Sequence, residues 1–240
     1  MATNTPAQEL LPFADGVWLS SDPVKIVGMP LTSTMTILRL GGGDLLLYSP
    51  VSMTDARRAA VEALGRVAHL YAPNLFHHRW VGDWATAFPS ARVHAPPGLA
   101  KKRRDLRIDR THGESRTHGE SPEPAFAGLV EELPVAGFRL RETALLYRPA
   151  RTLVVADLVH NVGRPAHRWS VVYTRLMGFY DQVALSRVIR WTGFTDKRAT
   201  RRSIDAVVAQ PFDRLVVGHG DPLPSGGRDA FAAAYAWLEG

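Results

Sequence analysis

Residues 71–84 read Tyr-Ala-Pro-Asn-Leu-Phe-His-His-Arg-Trp-Val-Gly-Asp-Trp, and the rest of the chain is best read outward from them. Just before, Val67 to Ala72 alternates two faces, Val67/His69/Tyr71 and Ala68/Leu70/Ala72, until Pro73 stops the run. Just after, Trp80, Trp84 and Phe88 recur at helical spacing. The pattern predicts a strand, a short loop carrying His77 and His78, and an amphipathic helix packed through its Trp/Phe stripe. Polar groups on a loop that leaves a strand are a common place for chemistry.

Toward the N-terminus, Phe13–Leu19 and Leu31–Leu40 are strand candidates. The turn Gly41-Gly42-Gly43-Asp44 leads into Leu45–Tyr48 as a hairpin, and a helix runs from Thr54 until Gly65 stops it. Toward the C-terminus comes a strand at Arg92–Ala95, then residues 98–127, the least ordered-looking part. A mobile basic loop is expected over about residues 101–124. It holds Arg-Thr-His-Gly-Glu-Ser twice in tandem, with His112, Glu114, His118 and Glu120, read as a tolerated insertion rather than a metal-binding loop. Strands resume at Leu129–Leu133 and Phe138–Leu140, and Thr143–Tyr147 pairs with Thr152–Ala156 as a second hairpin. Arg168 to Arg190 reads as mostly helical, with Trp169, Val172, Leu176 and Phe179 at helical spacing. A helix at Ala199–Ala209, a buried strand at Phe212–Val217 and a helix at Asp229–Leu238 follow. Two runs of hairpins, each followed by helices, suit two sheets packed face to face with helices outside.

At 240 residues with no Gly/Ser- or Pro-rich linker, a single domain from residue 10 is expected behind a flexible tail of residues 1–9. The chain has no cysteine, which excludes disulfides and thiolate sites and leaves His, Asp and Glu as metal ligands. The N-terminal residues lack the pattern of a secretory signal, and the apolar runs are too short to span a bilayer. A cytoplasmic protein without a membrane partner is therefore expected. The net charge of +6 gathers at Lys101, Lys102, Arg103, Arg104, Arg107 and Arg110, and again at Lys197, Arg198, Arg201 and Arg202. Such clusters attract anions or form a solvated face. Neither is interleaved with the aromatics that stack bases, so nucleic-acid binding is the weaker expectation.

Three ionisable residues share one placement, just past the C-terminal end of an apolar run: His78, Asp157 after Thr152–Ala156, and His219 after Phe212–Val217. Two imidazoles and a carboxylate suit Zn²⁺, or non-haem Fe or Mn. A lone histidine after a strand is also commonly a hydrogen-bonded loop residue, and Asp157 could cap a turn. Since His77 and His78 are neighbours, one of the two is expected to point into a shared site. Gly218 and Gly220, around His219, are expected to admit a ligand without a Cβ in the way.

With these residues in this order, the chain resembles the metallo-β-lactamase superfamily over roughly residues 10–238, and in particular a branch with a degenerate metal motif. The resemblance implies an α/β (α+β) fold, a four-layer αββα sandwich of two mixed β-sheets flanked by helices, with its site at one edge. Set against the superfamily's His-x-His-x-Asp-His signature, Asn74 and Phe76 replace the first two histidines, His78 the Asp and Arg79 the last His. Gly137-Phe138-Arg139 lacks the later histidine. Asp157 looks like the bridging carboxylate and His219 like the final histidine. The resemblance thus implies at most one divalent metal (Zn, or Fe/Mn), held by His78 or His77, Asp157 and His219.

Two functions follow as expectations. In the first, a mononuclear hydrolase uses Asp157 and His78 catalytically, with Asn74, Arg79 and Arg168 (or Arg164) facing a small anionic ester or phosphoester. In the second, a binding protein has kept the fold and lost the site, with Phe76 filling the space of a former ligand. A nucleic-acid-associated protein is a third and weaker alternative.

Overall fold

The computed structural model describes residues 9–26, 28–113 and 123–238. Its elements begin with strands β1 (Leu11–Ala14), β2 (Val17–Ile26), β3 (Met29–Arg39) and β4 (Asp44–Tyr48). Helix α1 (Asp55–Leu64), β5 (Arg66–Tyr71), α2 (Val81–Ala87), β6 (Arg92–Ala95), α3 (Leu99–Lys102) and β7 (Arg110–Thr111) follow. The second half adds β8 (Val130–Pro134), β9 (Thr143–Tyr147), β10 (Thr152–Val154), α4 (Arg168–Met177), α5 (Arg187–Thr192), α6 (Lys197–Val208), β11 (Arg214–Val216) and α7 (Gly227–Ala234).

Strands β1 to β7 form one sheet in chain order, antiparallel up to β4 and parallel from β4 onward. The other sheet runs β11-β10-β9-β8, with only β10 and β11 parallel. Side chains alternate sides along a strand, so β4 builds two cores at once. Leu45 and Leu47 face α1 and α2, where Val61, Val81 and Trp84 meet Leu70 and Val93. Leu46 and Tyr48 face the second sheet, packing with Leu145, Val154 and Val216. The outer face of that sheet, Leu146, Leu153 and Leu215, is covered by Ile204 and Val207 of α6 and Phe231 of α7. The layers are helix, sheet, sheet, helix, as expected.

Local chemistry explains the boundaries. Thr54 caps α1, its hydroxyl accepting from the Arg57 N–H at 3.1 Å. Trp84 is fully buried, and its indole N–H donates to the Val51 carbonyl at 2.8 Å, so its bulk joins the core with its one polar atom satisfied.

Four expectations are corrected. Phe13–Leu19 is two strands, because Asp15 and Gly16 turn the chain between β1 and β2, with Gly16 at φ 70°. Phe138–Leu140 is no strand: Phe138 makes a single bridge to Phe194. Arg168–Arg190 is broken by Gly178, which adopts the left-handed conformation that ends α4. The basic run from residue 101 builds the end of α3 and leads into β7, where Arg110 pairs with Glu132 at 2.7 Å. His112 is buried, its ring nitrogens 2.8 Å from the Ala72 carbonyl and 3.0 Å from Thr143 Oγ1. Glu114, His118 and Glu120 lie outside the described residues, as does the expected tail apart from Glu9.

Candidate metal centre

The site is assembled by three strand ends. Parallel pairing of β10 with β11 sets Val154 beside Val216, so the loops carrying Asp157 and His219 leave the sheet side by side. The third loop leaves β5. There the Asn74 side-chain oxygen accepts from the N–H groups of Phe76 at 2.8 Å and His77 at 2.9 Å, a tight turn that aims His77 inward. Backbone contact between Thr34 N–H and the Gly218 carbonyl, 3.0 Å, ties β3 to the His219 loop.

The imidazoles of His77 and His219 meet at Nε2, 3.2 Å apart. Asp157 completes the triangle, Oδ2 lying 3.4 Å from His77 Nε2 and Oδ1 3.5 Å from His219 Nε2. His219 Nδ1 is 2.7 Å from the Thr32 carbonyl, which can only accept, so Nδ1 carries a proton and Nε2 is the atom that faces the triangle. His77 Nδ1 sits 2.7 Å from Ser49 Oγ. Burial opposes charging His77, but the Asp157 carboxylate outweighs it and raises the imidazole pKa. That proton lies between two nitrogens and a carboxylate, where a cation would make the same contacts.

The fit to a divalent ion can be tested on these distances. Around a four-coordinate zinc with bonds of about 2.0–2.1 Å, neighbouring donors stand about 3.3 Å apart. The observed separations of 3.2, 3.4 and 3.5 Å match that spacing. An outer hydrogen bond on a ligand histidine, here Thr32 on His219, is the usual companion of such a site. The residues present fit the group.

Behind the triangle lies a second carboxylate. Glu142 accepts from the N–H groups of Ala156 at 2.7 Å and Asp157 at 2.8 Å. The Asn74 amide nitrogen bridges the two acids, 2.8 Å from Glu142 Oε2 and 2.9 Å from Asp157 Oδ2. Burial and the nearby Asp157 charge push Glu142 up to about 7. Burial raises Asp157 too, but His77 and His219 together hold it well below the usual carboxylate range. The His160 ring lies tilted against that of His219, centroids 5.5 Å apart; burial and the charge of His219 lower its pKa to about 4.

Of the two adjacent histidines, His77 enters the site and His78 does not. His78 Nδ1 faces Arg103 at 3.3 Å, and burial with the charges of Lys102 and Arg103 lowers its pKa. The structure thus places His77, where His78 was expected, in the group with Asp157 and His219. Arg79 is exposed and stacks on Trp80, 4.7 Å from the ring centroid. Arg164 pairs with Asp181 at 2.6 Å, and Arg168 is exposed on the first turn of α4. Asn74 is fully buried within the acid pair rather than open to a substrate. Phe76 fills no former ligand space: it is 63% exposed, under the Lys102 ammonium. Gly218 and Gly220 serve close backbone approach, since a Cβ there would meet Ala156 O at 2.6 Å and Asn161 O at 2.0 Å. Sequence reading missed Ser49, Glu142 and His160. Only His160 carried a signal, standing three residues past Asp157 on the same loop.

A second group, His69, His94 and Glu123, also lies close enough to share an ion. There His69 Nδ1 and His94 Nε2 are already hydrogen-bonded at 2.9 Å and Arg92 pairs with Glu123 at 2.8 Å. Burial, with His69 and Arg110, lowers the His94 pKa to about 2.

Two β-sheets between helices, with a His/Asp cluster at one edge, define a metallo-β-lactamase fold. The solved structures agree. A metallo-β-lactamase from Pontibacter korlensis aligns at TM-score 0.66 with 13% identity, over 96% of this chain and 98% of that one. The mono-zinc form of the metallo-β-lactamase FIM-1 from Pseudomonas aeruginosa aligns at 0.63 with 12% identity, over 96% and 94%. The Flv1 flavodiiron core from Synechocystis aligns at 0.64 with 12% identity, over 95% of this chain and 60% of that one. By sequence, the chain belongs to the family described as a domain of unknown function, DUF4336, whose model matches residues 14–175. That segment holds His77, Asp157 and His160 and ends before His219. No curated protein matches the chain.

Proposed function

We propose that this chain is a hydrolase-type protein that holds one divalent cation through His77, Asp157 and His219 and acts on a small anionic ester or phosphoester. The observation that carries the reading is the triangle of donor atoms at 3.2–3.5 Å, with His219 anchored from behind by the Thr32 carbonyl. When bound, such an ion supplies Lewis-acid polarisation and activates water near neutral pH. One ion rather than two is supported by Asn74, whose amide is committed to Glu142 and Asp157 at the place where the superfamily signature puts a histidine.

The chain's own groups would divide the work. Ser49 and Thr32 orient the two imidazoles from behind. Asp157 stays ionised against His77 and His219, and Glu142, titrating near neutrality, sets the total charge of the acid pair. Arg79 turns outward onto Trp80, so its guanidinium does not oppose a cation in the triangle; from the rim it and Lys102 would attract an anionic substrate.

Elemental analysis of protein purified without chelators, beside the His219→Ala variant, tests the reading. About one equivalent of zinc, iron or manganese in the wild type and none in the variant is the expected result, followed by metal-dependent turnover of ester or phosphoester substrates. Protein that stays metal-free after addition of all three ions would return the fold to the binding-protein reading.

A further inference from the structure

Helix α4 is amphipathic the wrong way round. It buries Ser170 and Thr174 completely, while Trp169, Val172 and Leu176 stand 58%, 57% and 60% exposed. Apolar side chains three and four residues apart were expected to seek the core. The next helix repeats the pattern, with Val188 at 48% and Trp191 at 76% exposure. The two are joined at their near ends, where the Arg187 guanidinium donates to the Leu176 carbonyl at 3.1 Å. Around this apolar face the charge has one sign. Arg168, Arg175 and Arg187 are exposed on these two helices, whereas Arg164 is paired with Asp181 at 2.6 Å and Arg190 turns onto Trp237.

We propose that the α4–α5 face is a docking surface for an anionic lipid bilayer. Exposed Trp, Val and Leu rimmed by arginine is the chemistry of a helix lying in the headgroup boundary, where apolar side chains bury shallowly and cations meet lipid phosphates. Size argues the same way. A ten-residue helix is about 15 Å long and packed helices lie about 10 Å apart, so the face offers roughly 300 Å². A stable protein interface needs about 800 Å² on each partner. Pairing the face with a second copy would also bring two sets of three exposed arginines together. Among the described residues no helix is long and apolar enough to cross a membrane, and surface docking requires none.

The face is linked to the candidate metal centre through packed rings. An unbroken aromatic run leads from His219 to His160 (5.5 Å), Phe179 (6.1 Å), Tyr173 (6.1 Å) and Trp169 (6.2 Å). The docking itself does not depend on a metal.

Flotation with phosphatidylcholine vesicles, with and without phosphatidylglycerol, tests the proposal. The expected result is binding that requires phosphatidylglycerol, weakens with salt, and falls about tenfold in the W169A/W191A variant. Both side chains are more than half exposed, so that variant keeps its fold, which circular dichroism checks. R168E/R175E should lose vesicle binding outright. Three results would overturn the proposal: no phosphatidylglycerol-dependent binding; binding equal in wild type and both variants; or a dimer in light scattering that W169A/W191A converts to monomer. Binding to an acidic polypeptide that is tighter than to vesicles and needs both tryptophans would also overturn it, in favour of a protein partner.

Discussion

The Nε2 atoms of His77 and His219, 142 residues apart in the chain, lie 3.2 Å from each other, with Asp157 closing the triangle. Two neutral imidazoles do not hold lone pairs that close without something between them. A shared proton and a cation are the two candidates, and they compete. His77→Ala or His219→Ala should each abolish stoichiometric metal, whereas His78→Ala should leave it unchanged, because that ring turns toward Arg103. Elemental analysis of the three variants separates these outcomes.

Ser49 backs His77 at 2.7 Å from Nδ1 and is buried. Loss of an outer hydrogen bond on a metal ligand typically costs about 10–100-fold in affinity. Ser49→Ala should weaken metal binding by about tenfold, read by competition with a chelating dye.

Asn74 is the most exposed point of failure in the fold of the site. Its side chain satisfies two buried carboxylates and two backbone N–H groups. Asn74→Ala leaves all four short of a partner and should destabilise the protein by about 3 kcal/mol in urea unfolding. Asn74→Asp, isosteric but a third acid, should be worse at pH 8 than at pH 5.

Stability should also fall in acid, and the sign follows from buried imidazoles. Burial, with the charges of His69 and Arg110, lowers His94 to about 2, and burial alone is the main cause that lowers His112 to about 4. Unfolded, each titrates at 6.5, so the unfolded chain takes up protons first as pH falls. Their contribution is complete above pH 6.5 and is lost progressively below it, by roughly 2 kcal/mol per histidine at pH 5. Glu132, held low against burial by Arg110, adds a further loss only below its unfolded value of 4.5. Urea midpoints between pH 7 and pH 5 check this. A His94→Gln, His112→Gln variant should show a flatter curve.

Much of this was legible in the chain alone. Val67–Ala72 and Leu45–Tyr48 read as nearly unbroken apolar runs because both faces of those strands are buried, and Thr54 marks its helix by the hydroxyl that caps it. Asp157 and His219 could be picked out because each follows an apolar run whose end must be a sheet edge. The choice between His77 and His78 could not. Adjacent residues point different ways, and which one faces inward is set by the Asn74 turn, a hydrogen-bonding choice with no periodicity to announce it. Glu142 was invisible for a related reason: its partners Asn74, Ala156 and Asp157 come from two other loops.

What the sequence by itself determined was most of the strands and helices, two sheets with helices outside them, and the two loops that carry Asp157 and His219, since hydrophobic periodicity is a local property. Only the tertiary structure decided that His77 completes the triangle, that Phe76 and Arg79 turn to solvent, and that α4 shows its tryptophan and leucine to the outside. Those outcomes depend on which surfaces the rest of the chain has already covered, and no window of neighbouring residues carries that information.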